Sequence, residues 1–417
     1  MHKIQRTICC LGTMLLMLLI SILTPVISAL QVVQRNTTLL RNSTLTSDTN
    51  YATNGRRLLR VGTDDIFHVL YLSKDRLFYS ISKDKGVTWA QPELLPLPPS
   101  LSVVRTGVFN EGFTLALDSS NQPHVVFIRR YNTIFENIYK YEVWHIKKLA
   151  NGGWSRPHLL FKEQCYYIGN IILEIDRAGR AHLGFTHVRN GFFGIHYFRF
   201  DPSTGKVISS SHKYIADAIS FDMTLDGQGS AHVAYWYRRD YDIRVMYQYQ
   251  DADTGYWSPA LTVDQGCCMY FNCNPKLAVA SDGEVHIVWT NQDNHYNSDM
   301  YYRTRYQNTW STEEQATVNS LGGWASNLVL IHDAPCIVMN VFYQIGEEDY
   351  DYDVFYAYRG EKGWLGGRES ISNSPDVSSL HPHAVVFRDT LCTIWTEGQA
   401  MPYTISFDQR VPVPAAP

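Results

Sequence analysis

Arginine, acidic and aromatic side chains are concentrated in a few polar stretches of this chain. The richest are RRYNTIFEN (129–137), HVRNGFFG (187–194), YRRDYDIR (237–244), NQDNHYNSD (291–299) and QIGEEDYDYD (344–353). Aromatic rings stack on the apolar faces of sugars, while charged side chains make directed hydrogen bonds to hydroxyl groups. The stretches therefore indicate carbohydrate recognition. The candidate contact residues are Arg189, Trp236, Tyr237, Arg238, Arg239, Asp240, Asn291 and His295.

The last of these stretches also has the residue types of a cation site. GEEDYDYD (346–353) contains five acids, and carboxylate oxygens are the ligands that Ca²⁺ prefers. Asp349, Asp351 and Asp353 are the calcium candidates. The alternative is that this acidic run is only exposed to solvent and binds no ion. The prediction is therefore that the chain has no cofactor, with calcium as the second choice.

The elements that must position these residues come from an internal repeat of 50 to 58 residues. In each unit, a short strand ends in a turn rich in Asp, Gly and Asn. The second strand then opens with His or Cys, and a Tyr-rich third strand and usually a Trp-containing turn follow. The second strands are HVLY (68–71), HVVF (124–127), HLGF (182–185), HVAY (232–235), HIVW (286–289), CIVM (336–339) and CTIW (392–395).

Four short antiparallel strands per unit, repeated radially, are typical of a β-propeller. Seven units predict an all-β, seven-bladed propeller over residues 51–417, with six blades as the alternative. The seventh unit stops after its third strand. The polar leader at 30–50, for instance QVVQRNTTLL (31–40), is expected to supply the missing strand and close the ring.

The N-terminus predicts export. A positively charged start and an apolar stretch from Ile8 to Leu23 indicate a signal peptide at 1–29, with an uncleaved anchor as the alternative. We therefore expect a secreted monomer with no membrane span after cleavage. Charged residues make up 18% of the chain and the net charge is −4, which argues against a nucleic-acid partner.

Because successive strands of a blade reverse direction, the loops lie on two faces. One face carries the first-to-second and third-to-fourth strand turns. The other, here called the ligand face, carries the second-to-third loops and the blade-to-blade connections. All the polar stretches named above belong to the ligand face.

One turn on the opposite face carries a family motif. SKDKGVTW (82–89) matches the Asp-box S-x-D-x-G-x-T-W at all its defined positions, which are Ser82, Asp84, Gly86, Thr88 and Trp89. The chain thereby resembles the BNR/Asp-box, sialidase-like propellers. In that family the Asp-box is structural and ligands bind on the other face, so the motif implies architecture and says little about catalysis.

The resemblance also implies what a sialidase would need: three arginines around a carboxylate, a Tyr–Glu nucleophile pair and an acidic Asp. Arg57, in GRRLLRVG (55–62), stands at the position of the family's first arginine. Asp75, in the loop SKDR (73–76), stands at the position of the family's acidic Asp. The aromatic residue and the proline of the family's arginine motif are absent from 55–62. Blades five to seven offer no arginine on a ligand-face loop. We therefore predict that intact sialidase chemistry is missing.

The predicted function is binding of carbohydrate or another extracellular ligand on the loop-rich face, without intact sialidase chemistry, and whether the chain is an enzyme stays open. One alternative is an exo-sialidase-like glycoside hydrolase. Another is a polysaccharide lyase at the axial pocket, with His and Tyr transferring protons and Arg neutralising a uronate. The candidate bases are His187, His295, His381 and His383. A protein-interaction propeller is a further alternative.

The repeated histidines, and the two cysteines that replace them, are predicted to have structural roles. A histidine at one position of five blades cannot converge on one metal, so it is predicted to be structural. Cys336 and Cys392 replace it in the last two units. Equivalent strands of adjacent blades lie ~10 Å apart, and a disulfide needs Cα atoms within ~7 Å. These two are therefore predicted to be buried thiols.

The remaining cysteines lie in blade-to-blade connections. In an exported protein four such cysteines predict two disulfides, with three pairings open. The favoured pairing is Cys268–Cys273 and Cys165–Cys267, and a zinc site is the alternative. The four residues are Cys165, Cys267, Cys268 and Cys273.

Overall fold

The protein is described by a computed structural model. It describes residues 37–43, 58–73, 76–97, 112–133, 138–264, 274–292, 298–317, 323–344, 350–361, 363–374, 377–398 and 403–412. The chain divides into the units Met1–Gln34 and Arg35–Pro417, and the described residues all belong to the second. Among them there are 29 strands and no helix, hence no helix able to cross a membrane.

The strands form seven antiparallel sheets, one for each repeated unit, so the prediction of seven blades is confirmed and the six-bladed alternative is wrong. Blade one contains β2 (Leu59–Val61), β3 (Phe67–Ser73), β4 (Arg76–Ser82) and β5 (Glu93–Leu94). Blade two contains β6 (Phe113–Leu117), β7 (Pro123–Asn132), β8 (Tyr139–Lys147) and β9 (His158–Cys165). Blade three contains β10 (Tyr167–Ile175), β11 (Ala181–Arg189), β12 (Phe192–Asp201) and β13 (Lys206–Ala216).

The other blades have the same order of strands. Blade four contains β14 (Ala218–Leu225), β15 (Ala231–Arg239), β16 (Asp242–Gln250) and β17 (Leu261–Thr262). Blade five contains β18 (Lys276–Val279), β19 (Val285–Gln292), β20 (Ser298–Tyr306) and an outer strand in two pieces, β21 (Thr309–Trp310) and β22 (Glu314–Gln315). Blade six contains β23 (Gly323–Ile331), β24 (Ala334–Gln344), β25 (Tyr350–Gly360) and β26 (Gly363–Ser370).

The seventh blade joins the two ends of the propeller. It contains β27 (Ser379–Phe387), β28 (Thr390–Glu397) and β29 (Tyr403–Arg410), and its outer strand is β1 (Thr37–Ser43). β1 pairs antiparallel with β29, with Thr37 opposite Phe407 and Ser43 opposite Tyr403. The leader thus supplies the strand that the seventh unit lacks, and the free edge of β29 is covered.

The repeated histidine forms the same buried hydrogen bond in four blades. It contacts the hydroxyl of a tyrosine on the third strand at 2.6–2.8 Å, in the pairs His68–Tyr79, His182–Tyr197, His232–Tyr247 and His286–Tyr302. In blades three and four its other nitrogen faces the aspartate of the preceding turn, at 3.3 Å from Asp176 and 3.2 Å from Asp226. The structural interpretation of these histidines is therefore confirmed.

The repeated tryptophan packs between blades. Its ring meets the paired tyrosine of the preceding blade edge to face, with ring centroids 5.0–5.8 Å apart. The pairs are Tyr79–Trp154, Tyr197–Trp257, Tyr247–Trp310 and Tyr302–Trp364. Each unit therefore completes the core of its neighbour, and the apolar clusters extend across blade boundaries.

The turn SKDKGVTW (82–89) lies where the sequence places it, between β4 and β5. Asp84 accepts hydrogen bonds from the backbone and hydroxyl of Thr88 at 2.8 and 2.6 Å, and from the hydroxyl of Ser82 at 2.8 Å. These bonds, above all the one from the Thr88 hydroxyl, hold the pKa of Asp84 at about 2. Trp89 packs edge to face on Phe407 of blade seven, with 5.6 Å between ring centroids.

The cysteine predictions have mixed outcomes. Cys336 and Cys392 are fully buried free thiols, as predicted. Cys165 is also free and buried, so the expected bridge from Cys165 to Cys267 is absent. The thiol of Cys165 instead faces the carbonyl of Tyr167 at 3.6 Å, and burial raises its pKa to about 12. Residues 267, 268 and 273 lie outside the described residues.

Candidate functional site

Four side chains from blades two and three meet near the ligand face and form what we call the histidine cluster. Glu163 comes from β9, the outer strand of blade two; His187 from β11, His196 from β12 and His212 from β13 of blade three. β11 starts at the aspartate turn and ends at Arg189, so His187 lies two residues from the ligand-face end of its strand. Because alternate residues of a strand share a face, His187 and Arg189 both point toward blade two.

The three histidines form a continuous chain of contacts. The Nδ1 atom of His196 lies 3.0 Å from the Nε2 atom of His212, and its Nε2 atom lies 3.3 Å from the Nδ1 atom of His187. The Nε2 atom of His187 lies 3.3 Å from Glu163. His212 is exposed, His196 is half-buried and His187 is 3% exposed. The chain therefore leads from solvent to a buried imidazole.

Burial keeps two of these imidazoles in the neutral form. Desolvation, with smaller contributions from His187 and His212, lowers the pKa of His196 to about 3. Desolvation also lowers the pKa of His187, although the charge of Glu163 opposes the shift. Neutral imidazoles have a lone pair for a proton or for a metal ion.

A tyrosine and an arginine complete the surroundings of the cluster. The ring of Tyr214 lies 5.0 Å from that of His196, and 41% of Tyr214 is exposed. A Cβ atom at Gly194 would lie 2.3 Å from the Tyr214 hydroxyl, so Tyr214 can occupy this position only over a glycine. Desolvation raises the pKa of Tyr214, so its hydroxyl stays protonated at neutral pH. Arg189 is 63% exposed and pairs with Glu163 at 3.0 Å.

The predicted contact residues separate into three groups. Arg189 lies at the cluster, while Arg238, Arg239 and Asp240 are exposed on the β15–β16 hairpin of the next blade.

The prediction that Trp236 contacts a ligand is wrong, because Trp236 is 5% exposed and packs in the apolar cluster of blades four and five. Tyr237 is half-buried against the neighbouring apolar cluster, and Asn291, also half-buried, lies opposite Asp299. Arg57, Asp75 and His295 lie outside the described residues.

Two of the calcium candidates and one candidate base make hydrogen bonds within the protein. Asp351 and Asp353 are buried and accept hydrogen bonds from Ser378 at 2.9 Å and Ser372 at 2.6 Å, while Asp349 lies outside the described residues. His383, a candidate base, accepts a hydrogen bond from the backbone of Leu59 at 3.3 Å, which links blades seven and one. Its neighbour His381 is 6% exposed on the same strand.

Sequence analysis identified His187 and Arg189 but missed Glu163, His196, His212 and Tyr214. These four lie on strands and not in the polar stretches whose composition indicates carbohydrate recognition. One signal was available: the third strand of unit three, IHYFRF, carries a histidine two positions after Gly194. A glycine inside a strand often marks the close approach of another group.

No protein-family model matches the chain. No curated protein shows significant similarity to it. Solved structures do resemble it. An ulvan lyase of family PL25 bound to -[GlcA(1-4)Rha3S]- has a TM-score of 0.63 and 11% identity, covering 89% of this chain and 95% of that chain.

Two further structures extend the comparison. The polysaccharide lyase Uly1 has a TM-score of 0.59 and 9% identity, covering 90% of this chain and 98% of that one. A Trypanosoma rangeli sialidase in complex with the inhibitor DANA has a TM-score of 0.44 and 10% identity, covering 87% of this chain and 73% of that one. Because the sequence identities are only 9% and 11%, the similarity to the two lyases shows the fold alone. The chemistry has to be inferred from the residues of the site.

Proposed function

We propose that this chain binds an acidic polysaccharide at the histidine cluster and cleaves it by β-elimination. The observation that carries the proposal is the ring contact between His196 and Tyr214, next to the exposed Arg189 that pairs with Glu163 of the same cluster. Both lyases named above resemble this chain over nearly their whole length, and one is bound to a glycan that contains GlcA, a uronic acid. These likenesses support an acidic glycan as the substrate class.

β-Elimination next to a uronate carboxylate needs three groups. A cation must neutralise the carboxylate so that the neighbouring C5 proton becomes acidic, and the exposed guanidinium of Arg189 suits this role. A base must accept that proton, and His196 presents a neutral imidazole. An acid must protonate the departing O4 oxygen as the C4–O4 bond breaks and the C4=C5 double bond forms, and the Tyr214 hydroxyl suits this role.

The chain of histidines gives the proton a route to solvent. His196 contacts His212 at 3.0 Å, and His212 is exposed. His196 can therefore pass its Nδ1 proton to His212 in the same step in which it accepts the proton from C5. Because the transfers are coupled, the His196 imidazolium, which a pKa of about 3 disfavours, does not form.

The test is turnover of uronate-containing polysaccharides by the purified chain, measured as the ultraviolet absorbance of the unsaturated product. His196→Gln and Tyr214→Phe should each lower turnover by roughly 10²–10⁴-fold, the usual contribution of a general acid or base. Matched controls are His332→Gln and Tyr256→Phe, which change exposed residues in turns on the opposite face. Turnover that survives in both cluster variants would place the chemistry elsewhere.

A second candidate is binding without cleavage, and exposed aromatic rings favour it. Phe192 is 68% exposed and Tyr241 is fully exposed, each at a ligand-face hairpin between second and third strands. Such rings can stack on sugars without any acid–base pair. Binding of the same polysaccharides, lost in Arg189→Ala but accompanied by no unsaturated product, would support this candidate.

A further inference from the structure

Three side chains of the histidine cluster have the composition of a transition-metal site. Glu163, His187 and His196 each offer one ligand atom, and these atoms lie within 4.8 Å of one another. Two imidazoles and one carboxylate form a ligand set that zinc takes in proteins, usually with a water molecule in the fourth position. Imidazole nitrogen favours zinc, copper, nickel or iron over calcium and magnesium, which favour oxygen.

The distances in the cluster suit an ion better than they suit hydrogen bonds. The Nδ1 atom of His187 and the Nε2 atom of His196 are 3.3 Å apart, longer than a well-formed hydrogen bond. Zinc–ligand bonds of about 2.0–2.2 Å in a tetrahedral site place neighbouring ligand atoms roughly 3.3 Å apart. Glu163 is half-buried at the edge of the cluster, so rotation of its side chain can bring a carboxylate oxygen to the same separation.

A buried nitrogen in the cluster also lacks a hydrogen bond. The Nε2 atom of His187 lies 3.3 Å from Glu163 but makes no hydrogen bond in the described part of the chain, and the residue is 3% exposed. A buried polar atom without a hydrogen bond costs about 1–3 kcal/mol. An ion bound directly to this Nε2 atom removes that cost.

The neighbours of the three side chains are those expected around metal ligands. The Nδ1 atom of His196 faces His212 at 3.0 Å, which orients the imidazole and leaves its Nε2 lone pair for an ion. Arg189 holds one oxygen of Glu163 at 3.0 Å. Hydrogen-bonded partners of this kind orient metal ligands and tune their basicity. The exposed side of the cluster leaves room for a fourth ligand from solvent.

We propose that Glu163, His187 and His196 bind one divalent ion of the zinc class. The proposal does not rest on the proposed function, because binding is measured without any polysaccharide. The two are linked in one respect: an ion on His196 uses the lone pair that β-elimination requires. Zinc should therefore inhibit cleavage, and the elimination assay should be run in the presence of a chelator.

The experiment is calorimetric titration of the full, chelator-treated chain with zinc chloride at neutral pH, followed by the absorption spectrum of the cobalt(II) form. We expect one zinc per chain. His196→Gln and Glu163→Gln should each weaken binding more than 10-fold, and His212→Gln by roughly 10–100-fold, as for outer partners of metal ligands. His332→Gln, which changes an exposed histidine in a turn on the opposite face, is the matched control.

The outcomes are distinct. Stoichiometric binding that weakens in the three cluster variants, with a four-coordinate cobalt spectrum that changes in His196→Gln, supports the site. Two results would overturn it: an absence of zinc binding in the wild-type chain, or binding that His196→Gln and Glu163→Gln leave unchanged. Circular dichroism of each variant establishes that a loss of binding does not come from a loss of fold.

Discussion

At the scale of single residues, the geometry of the turn at 82–89 explains why a glycine stands at position 86. Gly86 has a φ of +83°, and a Cβ atom there would lie 2.2 Å from the ring of Phe407. Its backbone N–H donates to the Ser82 hydroxyl at 2.8 Å. The glycine therefore meets two demands at once: a left-handed backbone conformation and close contact with blade seven.

Gly86→Ala should destabilise the protein more than the same change in a comparable turn. Gly152 has a φ of +85° in the turn of blade two that corresponds to the Asp-box, with open space around its Cα atom. We expect Gly152→Ala to cost about 1–2 kcal/mol for the left-handed conformation alone. Gly86→Ala should cost a further ~1–3 kcal/mol for overpacking against Phe407. Denaturant unfolding of both variants measures the difference, and equal costs would contradict the role of Phe407.

At the scale of the repeated element, two departures from the pattern occur together. Blade two has His145 where blades one, three, four and five have the tyrosine that pairs with the repeated histidine, and the turn of unit three lacks the tryptophan that would pack on it. His145 instead contacts His124 at 3.0 Å and packs against Phe200 of blade three, with ring centroids 5.1 Å apart. In the other described contacts the tryptophan packs on an aromatic ring of the preceding blade, which is a tyrosine in four cases and Phe407 in the fifth. The imidazole of His145 is a smaller and more polar partner, which is consistent with the absence of the tryptophan in unit three.

Tyr197→Phe tests the hydrogen bonds of the repeat without changing its packing. The Tyr197 hydroxyl contacts His182 at 2.8 Å and donates to Gln250 at 2.7 Å, and all three residues are buried. Removing it leaves buried polar atoms without a partner, which should cost about 1–3 kcal/mol in unfolding free energy. Tyr256→Phe, at an exposed tyrosine, is the control and should change stability by less than ~0.5 kcal/mol. Equal stabilities of the two variants would show that the repeated pair contributes little.

At the scale of the whole molecule, the ring is closed by strands from the two ends of the described chain. β1 and β29 pair in blade seven, while Trp89 and Gly86 of blade one pack on Phe407 of the same blade. The turn at 82–89 therefore packs at the closure between blades one and seven. Closing a ring removes the exposed sheet edges that would otherwise invite pairing with another chain.

Removing β1 should open this closure. A chain that starts after Ser43 exposes the edge of β29 and loses several backbone hydrogen bonds, each worth roughly 0.5–1.5 kcal/mol. We expect a lower unfolding temperature and self-association, measured by calorimetry and light scattering. A chain that starts at Arg35 and keeps β1 is the control. If both truncated chains unfold at the same temperature and stay monomeric, the strand is dispensable.

The sequence by itself determined the architecture. The repeat fixed the number of blades, the turns that carry Asp and Trp, and the structural role of the histidine, because each depends on residues within one unit or in equivalent positions of adjacent units. It also predicted that the seventh unit needs a strand from elsewhere. Local hydrophobic alternation and turn chemistry are sufficient for these conclusions.

Only the tertiary structure decided the site. Glu163 and His212 are 49 residues apart and belong to different blades, and no spacing rule brings them together. The register of β11 against β12 and the packing of blade two on blade three place the three histidines and Glu163 in contact. The sequence predicts that Trp236 contacts sugar because it lies in an aromatic and charged stretch. The structure instead buries it, because its position on the strand directs the side chain toward the core. Side-chain direction at a blade boundary depends on register and on the neighbouring blade, which the residues of one unit do not encode.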